Sequence, residues 1–327
     1  MQIQEIVALI DKLDAKLAVL LCHHNADPDA IGAAYAFKGL LQRLRPNLET
    51  EIAAAAGPSK LSKAIMNALP IELTEQPRIE AADLLVLLDT NTIQQLDEWS
   101  TRIVVTQPMV VIDHHASHPE TEERATLSVS DETVSSTCEL VYRLFKEAEV
   151  KPSLDEAKAL FLGISFDTRH FIIATSDTLK VVAELVDSGV NAQETIAVLS
   201  LPMEPSERLA RLKAAERIKL LKVKGWLIAL SHVSAYQASA CRGLIALGAH
   251  VAVVAGKKQN KLQVSFRASR DFFAETGVHM GRDLAKPLGD FLGGMGGGHS
   301  LSAGANGAGD VDACLKFCKK LFKEMLK

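Results

Sequence analysis

The feature that most constrains this 327-residue chain is a series of short, wholly apolar runs that stop abruptly at polar residues. Leu17–Leu21, Leu84–Leu88 and Val110–Ile112 have the length and continuity of strands buried on both faces. Between and after them, Ala30–Leu44, Ser135–Glu147 and Leu154–Gly163 carry helical spacing. Such alternation predicts an α/β fold whose N-terminal sheet is mostly parallel and doubly wound. In sheets of that kind ligands gather beyond the carboxyl ends of the strands. That is where this chain places its aspartates and histidines.

The second half reads differently. After Pro202 and Pro205 comes a charged helical stretch, and residues 201–224 are expected to be a linker helix. Beyond it, Trp226–Ser231, Val251–Ala255 and Leu262–Ala268 read as strands, with helices near Ala235–Ala246 and Ala308–Lys327. The expected organisation is a domain over 1–200 and a smaller α/β substrate domain over 225–327. Residues 1–200 hold 16 Lys+Arg against 30 Asp+Glu, a net of −14; residues 201–327 hold 20 against 10, a net of +10. An acidic half suited to cations, joined to a basic half suited to an anionic substrate, is the functional reading of that split. Undirected drift of surface charge is the plainer one.

Several classes fall away on composition. With 48% hydrophobic and 23% charged residues the chain reads as neither disordered nor a membrane protein. Its longest apolar runs fall far short of the ~20 residues of a bilayer span. The N-terminus MQIQEIVALIDKL is an amphipathic helix without a signal-peptide cleavage pattern. Five scattered cysteines suggest free thiols in a reducing compartment, and a cytoplasmic location is expected.

Four segments carry the chemistry. HHNADPDAIG offers His23, Asp27 and Asp29; LLVLLDT offers Asp89; VVIDHHASH offers Asp113, His114 and His115; GISFDTRHF offers Asp167. Taken singly, each has a bland alternative, such as an Asx turn, a helix N-cap or a strand-terminal Asp. His118 reads as a surface residue. Together, acids at four element ends with histidines at two of them form an oxygen and imidazole donor set suited to Mn²⁺ or Mg²⁺. Two metals about 3.5–4 Å apart, bridged by a carboxylate, are standard apparatus for displacement at phosphorus.

In these four segments, in order and spacing, the chain resembles the DHH phosphoesterase family, named for the motif seen here as Asp113-His114-His115. VSFRAS at 264–269 and GGMGGGHSLSAGAN at 293–306 resemble the family's associated C-terminal domain. The resemblance implies that His23 and Asp27 hold one metal and Asp29 and Asp167 the other. Asp89 would bridge, His114 would be a further ligand, and His115 would face the scissile phosphate with Asp113 behind it. It implies two Mn²⁺ ions, with Mg²⁺ or Co²⁺ as alternatives. Of the subfamilies the nanoRNase type is most similar, implying hydrolysis of short oligonucleotides and of nucleotide phosphoesters such as 3′-phosphoadenosine 5′-phosphate. One departure stands out: Arg169 and His170 follow the fourth motif where many members carry small residues, and both are candidate phosphate contacts.

In the second domain, Gly296, Gly297 and Gly298 could let backbone N–H groups approach a phosphate, with His299 as a donor. Arg267 suits bidentate phosphate binding from its strand. Lys257, Lys258, Lys261 and Arg270 read as a general basic surface. Phe266, on the opposite face of its strand from Arg267, is expected in the core. A homodimer is compatible with all of this and no membrane partner is expected. The rival readings are a RecJ-like single-strand exonuclease, a cyclic-dinucleotide phosphodiesterase and a family II inorganic pyrophosphatase. A non-catalytic replisome binding module is the rival from another class. The complete ligand set argues against a silent module.

Overall fold

A computed structural model describes residues 1–200, 203–258 and 261–326. Pro202, Lys327 and the Lys258 side chain, which enter the sequence reading above, lie outside the described residues. The chain divides into two compact units, Met1–Leu201 and Pro202–Lys327. Each has its own sheet and core, and each is described separately.

The first unit comprises α1 (Gln2–Leu13), β1 (Leu17–Cys22), α2 (Pro28–Leu44), β2 (Glu49–Ala54), α3 (Lys60–Ala68), β3 (Leu84–Leu88) and β4 (Met109–Asp113). It continues with α4 (Pro119–Arg124), β5 (Leu127–Ser130), α5 (Thr137–Glu147), α6 (Leu154–Asp167), α7 (Ser176–Asp187) and α8 (Ala192–Ala197). The five strands form one sheet in the order β2-β1-β3-β4-β5, every pair parallel. This is the doubly wound sheet expected from the apolar runs. Side chains alternate across it. Leu17, Val19 and Leu21 enter one core with Leu85 and Leu87, while Ala18, Leu20 and Cys22 enter the other beneath α2, α5 and α6. Phe37, Phe145 and Phe161 are fully buried there, each contributing about 1.5–3 kcal/mol.

The strand order reverses between β1 and β3, which lie side by side although α2, β2 and α3 intervene in the chain. At such a switch point the connections leave in opposite directions and open a crevice beyond the strand ends. His23 follows β1 and Asp89 follows β3, so both stand at its mouth.

The second unit comprises α9 (Pro205–Glu216), β6 (Lys219–Val223), β7 (Trp226–His232), α10 (Gln237–Ala246), β8 (Val251–Lys258) and β9 (Lys261–Ala268). After them come α11 (Arg270–Thr276), α12 (Lys286–Phe291), β10 (Met295–Gly298), β11 (Ser302–Gly307) and α13 (Val311–Met325). Its sheet runs β10-β11-β9-β8-β7-β6 and is mixed: β7 and β8 are parallel and the other pairs antiparallel. Phe266 is fully buried in its core, as the alternation along β9 requires.

One expectation needs correction. The helix read as a linker belongs to the second unit, where Ala214 packs with Ala240, Cys241 and Leu244 of α10. The same stretch ends in an edge strand, because Lys219–Val223 alternates and buries Leu221. The glycine run forms strand β10. A Cβ on Gly296 would lie 1.7 Å from the Ala285 carbonyl oxygen, so that glycine permits backbone to meet backbone. Gly297 is the open position, with nothing among the described residues within 4 Å of its missing Cβ.

Candidate metal centre

The local fold explains how each carboxylate is held. Asp27 is the N-cap of α2, its Oδ1 accepting from the N–H groups of Asp29 (2.9 Å) and Ala30 (3.2 Å). Pro28 opens that helix at a position where no amide hydrogen is needed. Asp29 is fully buried and points at the start of α5, where the Thr137 N–H donates at 2.6 Å and the Cys138 N–H at 2.9 Å. An anion at a helix N-terminus answers both the unpaired amides and the dipole. Two glycines bring the helices together around it. A Cβ on Gly163 would lie 2.3 Å from Cys138 Sγ and 2.8 Å from Asp29 Oδ1, and one on Gly32 would lie 2.6 Å from the Ala159 carbonyl oxygen.

Asp89 is the hub. It is 4% exposed and sits in the left-handed region at φ 54, a conformation that costs a non-glycine residue about 1–2 kcal/mol. Thr137 Oγ1 donates to its Oδ1 at 3.0 Å. His23 Nε2 lies 3.6 Å from Asp89 Oδ2 and 4.0 Å from Asp27 Oδ1. On the other side His114 Nε2 lies 3.7 Å and His115 Nδ1 3.5 Å from Asp89 Oδ1. Asp113, at the end of β4, accepts from both the backbone N–H (2.7 Å) and Nδ1 (2.8 Å) of His115. This turn fixes the ring while leaving the side chain 54% exposed. His114 Nε2 also stands 3.1 Å from Asp167 Oδ2, yet it is buried without a hydrogen bond among the described residues.

Six of these side chains, with His115, fall into three overlapping groups whose donor atoms lie within 4.8 Å of one another. They are His23, Asp27 and Asp89; Asp29, His114 and Asp167; and Asp89, His114 and His115. All eight residues taken from the four N-terminal motifs are therefore gathered at one end of the parallel sheet. Imidazole nitrogens and carboxylate oxygens without thiolates fit a divalent ion such as Mn²⁺. The unpartnered His114 nitrogen, buried among carboxylates, is the observation that speaks for one.

Proton affinities carry the signature of crowded like charge. Burial and the neighbouring Asp89 and Asp167 raise Asp27 to about 6, and burial with Asp167 and Asp89 raises Asp29 well above the carboxylate range. Burial would raise Asp89 too, but bonds from His115 and His23 hold it low. The histidines respond in kind. Burial opposes charge on His23, yet Asp89 and the His24 carbonyl lift it to about 9. Asp113 and Asp89 carry His115 to about 11. Protons and imidazolium groups thus balance a charge that metal ions would otherwise neutralise.

The remaining candidates are not members of these three groups. Arg169 and His170 are exposed and follow Asp167 after the buried Thr168. With Phe171 they form three consecutive left-handed residues, φ 52, 57 and 68. In the second unit Arg267 lies on β9 opposite Ser302, with its Nη1 3.5 Å from the Phe266 carbonyl oxygen. The His299 side chain is exposed, and its backbone is pinned on both sides. Its N–H donates to the Ser302 carbonyl at 2.7 Å, and its own carbonyl accepts from the Gly281 N–H at 3.2 Å. His118, expected at the surface, is instead half-buried, with Nδ1 unpartnered among the described residues.

The motifs alone do not reveal the residues that hold the ligands in place. Thr137 and Cys138 anchor Asp29 and Asp89, and Gly163 makes room for them. A signal is present: Ser136 caps α5 just ahead of a strongly amphipathic stretch, which marks a helix N-terminus and so a seat for an anion.

The N-terminal domain of the DHH family matches residues 18–164, and the DHHA1 domain matches residues 232–324. The uncharacterized protein MJ0988 of Methanocaldococcus jannaschii is 34% identical over 324 residues, covering 97% of this chain and 94% of that protein. A second uncharacterized protein of that organism, MJ1633, is 31% identical over 176 residues, 53% of this chain and 35% of its own. Among solved structures, an exopolyphosphatase-related protein from Bacteroides fragilis aligns with a TM-score of 0.63 at 18% identity, covering 99% of this chain and 97% of that one. Matched in both domains and along nearly the whole of a relative, the chain belongs to the DHH family and has the fold of its phosphoesterases.

Proposed function

We propose that the protein is a two-metal phosphoesterase that hydrolyses short oligonucleotides to mononucleotides and also accepts small nucleotide phosphoesters such as 3′-phosphoadenosine 5′-phosphate. The observation that carries the reading is the position of Asp89, whose two oxygens face different clusters of donors: Oδ2 faces His23, and Oδ1 faces His114 and His115. In this reading His23 and Asp27 would hold one Mn²⁺, Asp29, His114 and Asp167 would hold the other, and Asp89 would serve both. When bound, the two ions supply charge neutralisation at the phosphate and activation of a water nucleophile.

The chain's own groups do the rest. His115 donates its Nδ1–H to Asp113, and because Asp113 and Asp89 raise it to about 11 the ring is an imidazolium whose Nε2–H can donate to a phosphoryl oxygen. Asp89 and Asp29 are kept in register by the start of α5, which limits reorganisation as charge moves. Arg267, His299 and the open space beside Gly297 are assigned to a second phosphate or the terminal nucleotide. Arg169 and His170 are assigned to the substrate from the turn after Asp167.

The test is hydrolysis of 5′-labelled RNA and DNA, from dinucleotides up to strands of a few tens of nucleotides, with Mn²⁺, Mg²⁺ or EDTA, alongside 3′-phosphoadenosine 5′-phosphate. Release of mononucleotides fastest from the shortest chains, and abolished by EDTA, is the expected result. Efficient digestion of the longest strands would move the assignment to a RecJ-like exonuclease. No hydrolysis of any of them would contradict the reading.

A further inference from the structure

The second unit contains a cavity of about 440 Å³ that the catalytic reading does not use. Its floor is the end of β7 and β8, its roof is α9, and the loop after β7 closes one side. Gly256 makes that closure possible: a Cβ there would lie 2.4 Å from the Val233 carbonyl oxygen, so the loop rests on bare backbone. At the rim the hydroxyls of Ser206 and Tyr236 meet at 3.0 Å.

Four cationic or potentially cationic side chains line this space: Lys213 from α9, Arg217 from its C-cap, His232 from β7 and Lys257 from β8. Among the described residues that line it, none is a carboxylate. The Arg217 guanidinium is 3.5 Å from the His232 carbonyl oxygen, a single contact for a group with five N–H donors. Asp312, near enough to interact with His232, is bonded to Lys219 at 3.0 Å. The remaining wall is apolar, with Leu209, Val233 and Val311. Convergent cations over an apolar wall, in a volume typical of small-molecule sites, suit a phosphorylated molecule.

The cavity is also distinct from the Arg267 pole of the same sheet. Arg267 pairs with Ala252, whereas Gly256 and Lys257 lie four and five residues further along β8. At the rise of a strand that is roughly 13–17 Å. Lys257, exposed on β8, lines this cavity.

We propose that this cavity is a second phosphate-anion site, formed by Lys213, Arg217, His232 and Lys257, that takes a small phosphorylated molecule. The proposal is independent of the hydrolytic reading, because it involves neither the metal ligands nor Arg267. Its ligand could be a nucleotide, with the base on the apolar wall, or a free polyphosphate.

Isothermal titration of the full chain in EDTA with AMP and with pyrophosphate tests it. Arg267→Ala, which removes the phosphate contact assigned to the hydrolytic site, should still bind at least one of these probes. Lys213→Glu, and separately the double variant Arg217→Ala/Lys257→Ala, should weaken that binding at least about tenfold. Unchanged thermal unfolding of these variants would show that they are folded; Lys213 and Lys257 are exposed, and the two variants sample different elements. Tighter binding of AMP identifies a nucleotide site, and tighter binding of pyrophosphate a polyphosphate site. Absence of binding at millimolar concentration, wild-type affinity in folded variants, or binding abolished by Arg267→Ala would overturn the proposal.

Discussion

The two units handle charge in opposite ways. In the first, Asp29, Asp89 and Asp113 are buried at 0–4% exposure beside other carboxylates, and Asp89 adopts a left-handed backbone. In the second, Lys213 and Lys257 stay exposed around a cavity and Arg267 is half-buried on a strand. Buried like charges raise one another's proton affinity and persist only when the surroundings compensate them. Spaced, solvated cations store little strain. The acidic site thus suits resident ions, while the basic groups suit ligands that come and go.

If that contrast is right, substitutions in the first unit should have much larger effects than those in the second. Asp89→Ala is expected to be the most damaging to activity, lowering kcat by roughly 10²–10³-fold or more without unfolding the chain, as read by hydrolysis and circular dichroism. His115→Ala should come next. Asp113→Asn, which disturbs the ring through its Nδ1 bond, should cost about 10–100-fold in kcat and leave KM nearly unchanged. Wild-type rates for Asp113→Asn would remove Asp113 from the mechanism.

Gly163→Ala probes the packing behind the ligands. The added methyl collides with Cys138 Sγ and Asp29 Oδ1, which should cost about 1–3 kcal/mol and weaken metal binding together. A Tm and metal affinity equal to wild type would mean that the helices have room to spare. In the second unit, Arg267→Ala should mainly raise KM, by roughly 10–100-fold, through loss of a charge-assisted contact.

The pH dependence of metal binding gives a subtler comparison. His23 is raised to about 9 and Asp27 to about 6 without metal, so both hold protons that an ion must displace. Apparent affinity should therefore increase as pH rises from about 6 to about 9, with proton release that shrinks toward the upper end. An affinity independent of pH over that window would contradict the proton inventory of the site.

Much of the first unit is legible in the sequence because β1, β3 and β4 are buried on both faces and end in polar ligands. The edge strands are not. Glu49–Ala54 has an exposed start and Leu127–Ser130 buries only Val129, so neither shows a continuous apolar run. In the second unit, Met295–Gly298 and Ser302–Gly307 leave no hydrophobic period, because their glycines pack through the backbone. Lys219–Val223 reads as part of the helix before it, since its short alternation continues a helical charge pattern. Motif residues identify the candidate ligands, but the donors that orient them come from α5, whose own sequence looks like an ordinary capped helix.

The central claim is that Asp89 is shared by two metal ions, and electron paramagnetic resonance of Mn²⁺-loaded protein tests it most directly. Wild type should hold two Mn²⁺ per chain with an exchange-coupled spectrum, and Asp89→Asn should lose that coupling. Two uncoupled ions in wild type, or a coupled pair that survives in Asp89→Asn, would contradict it.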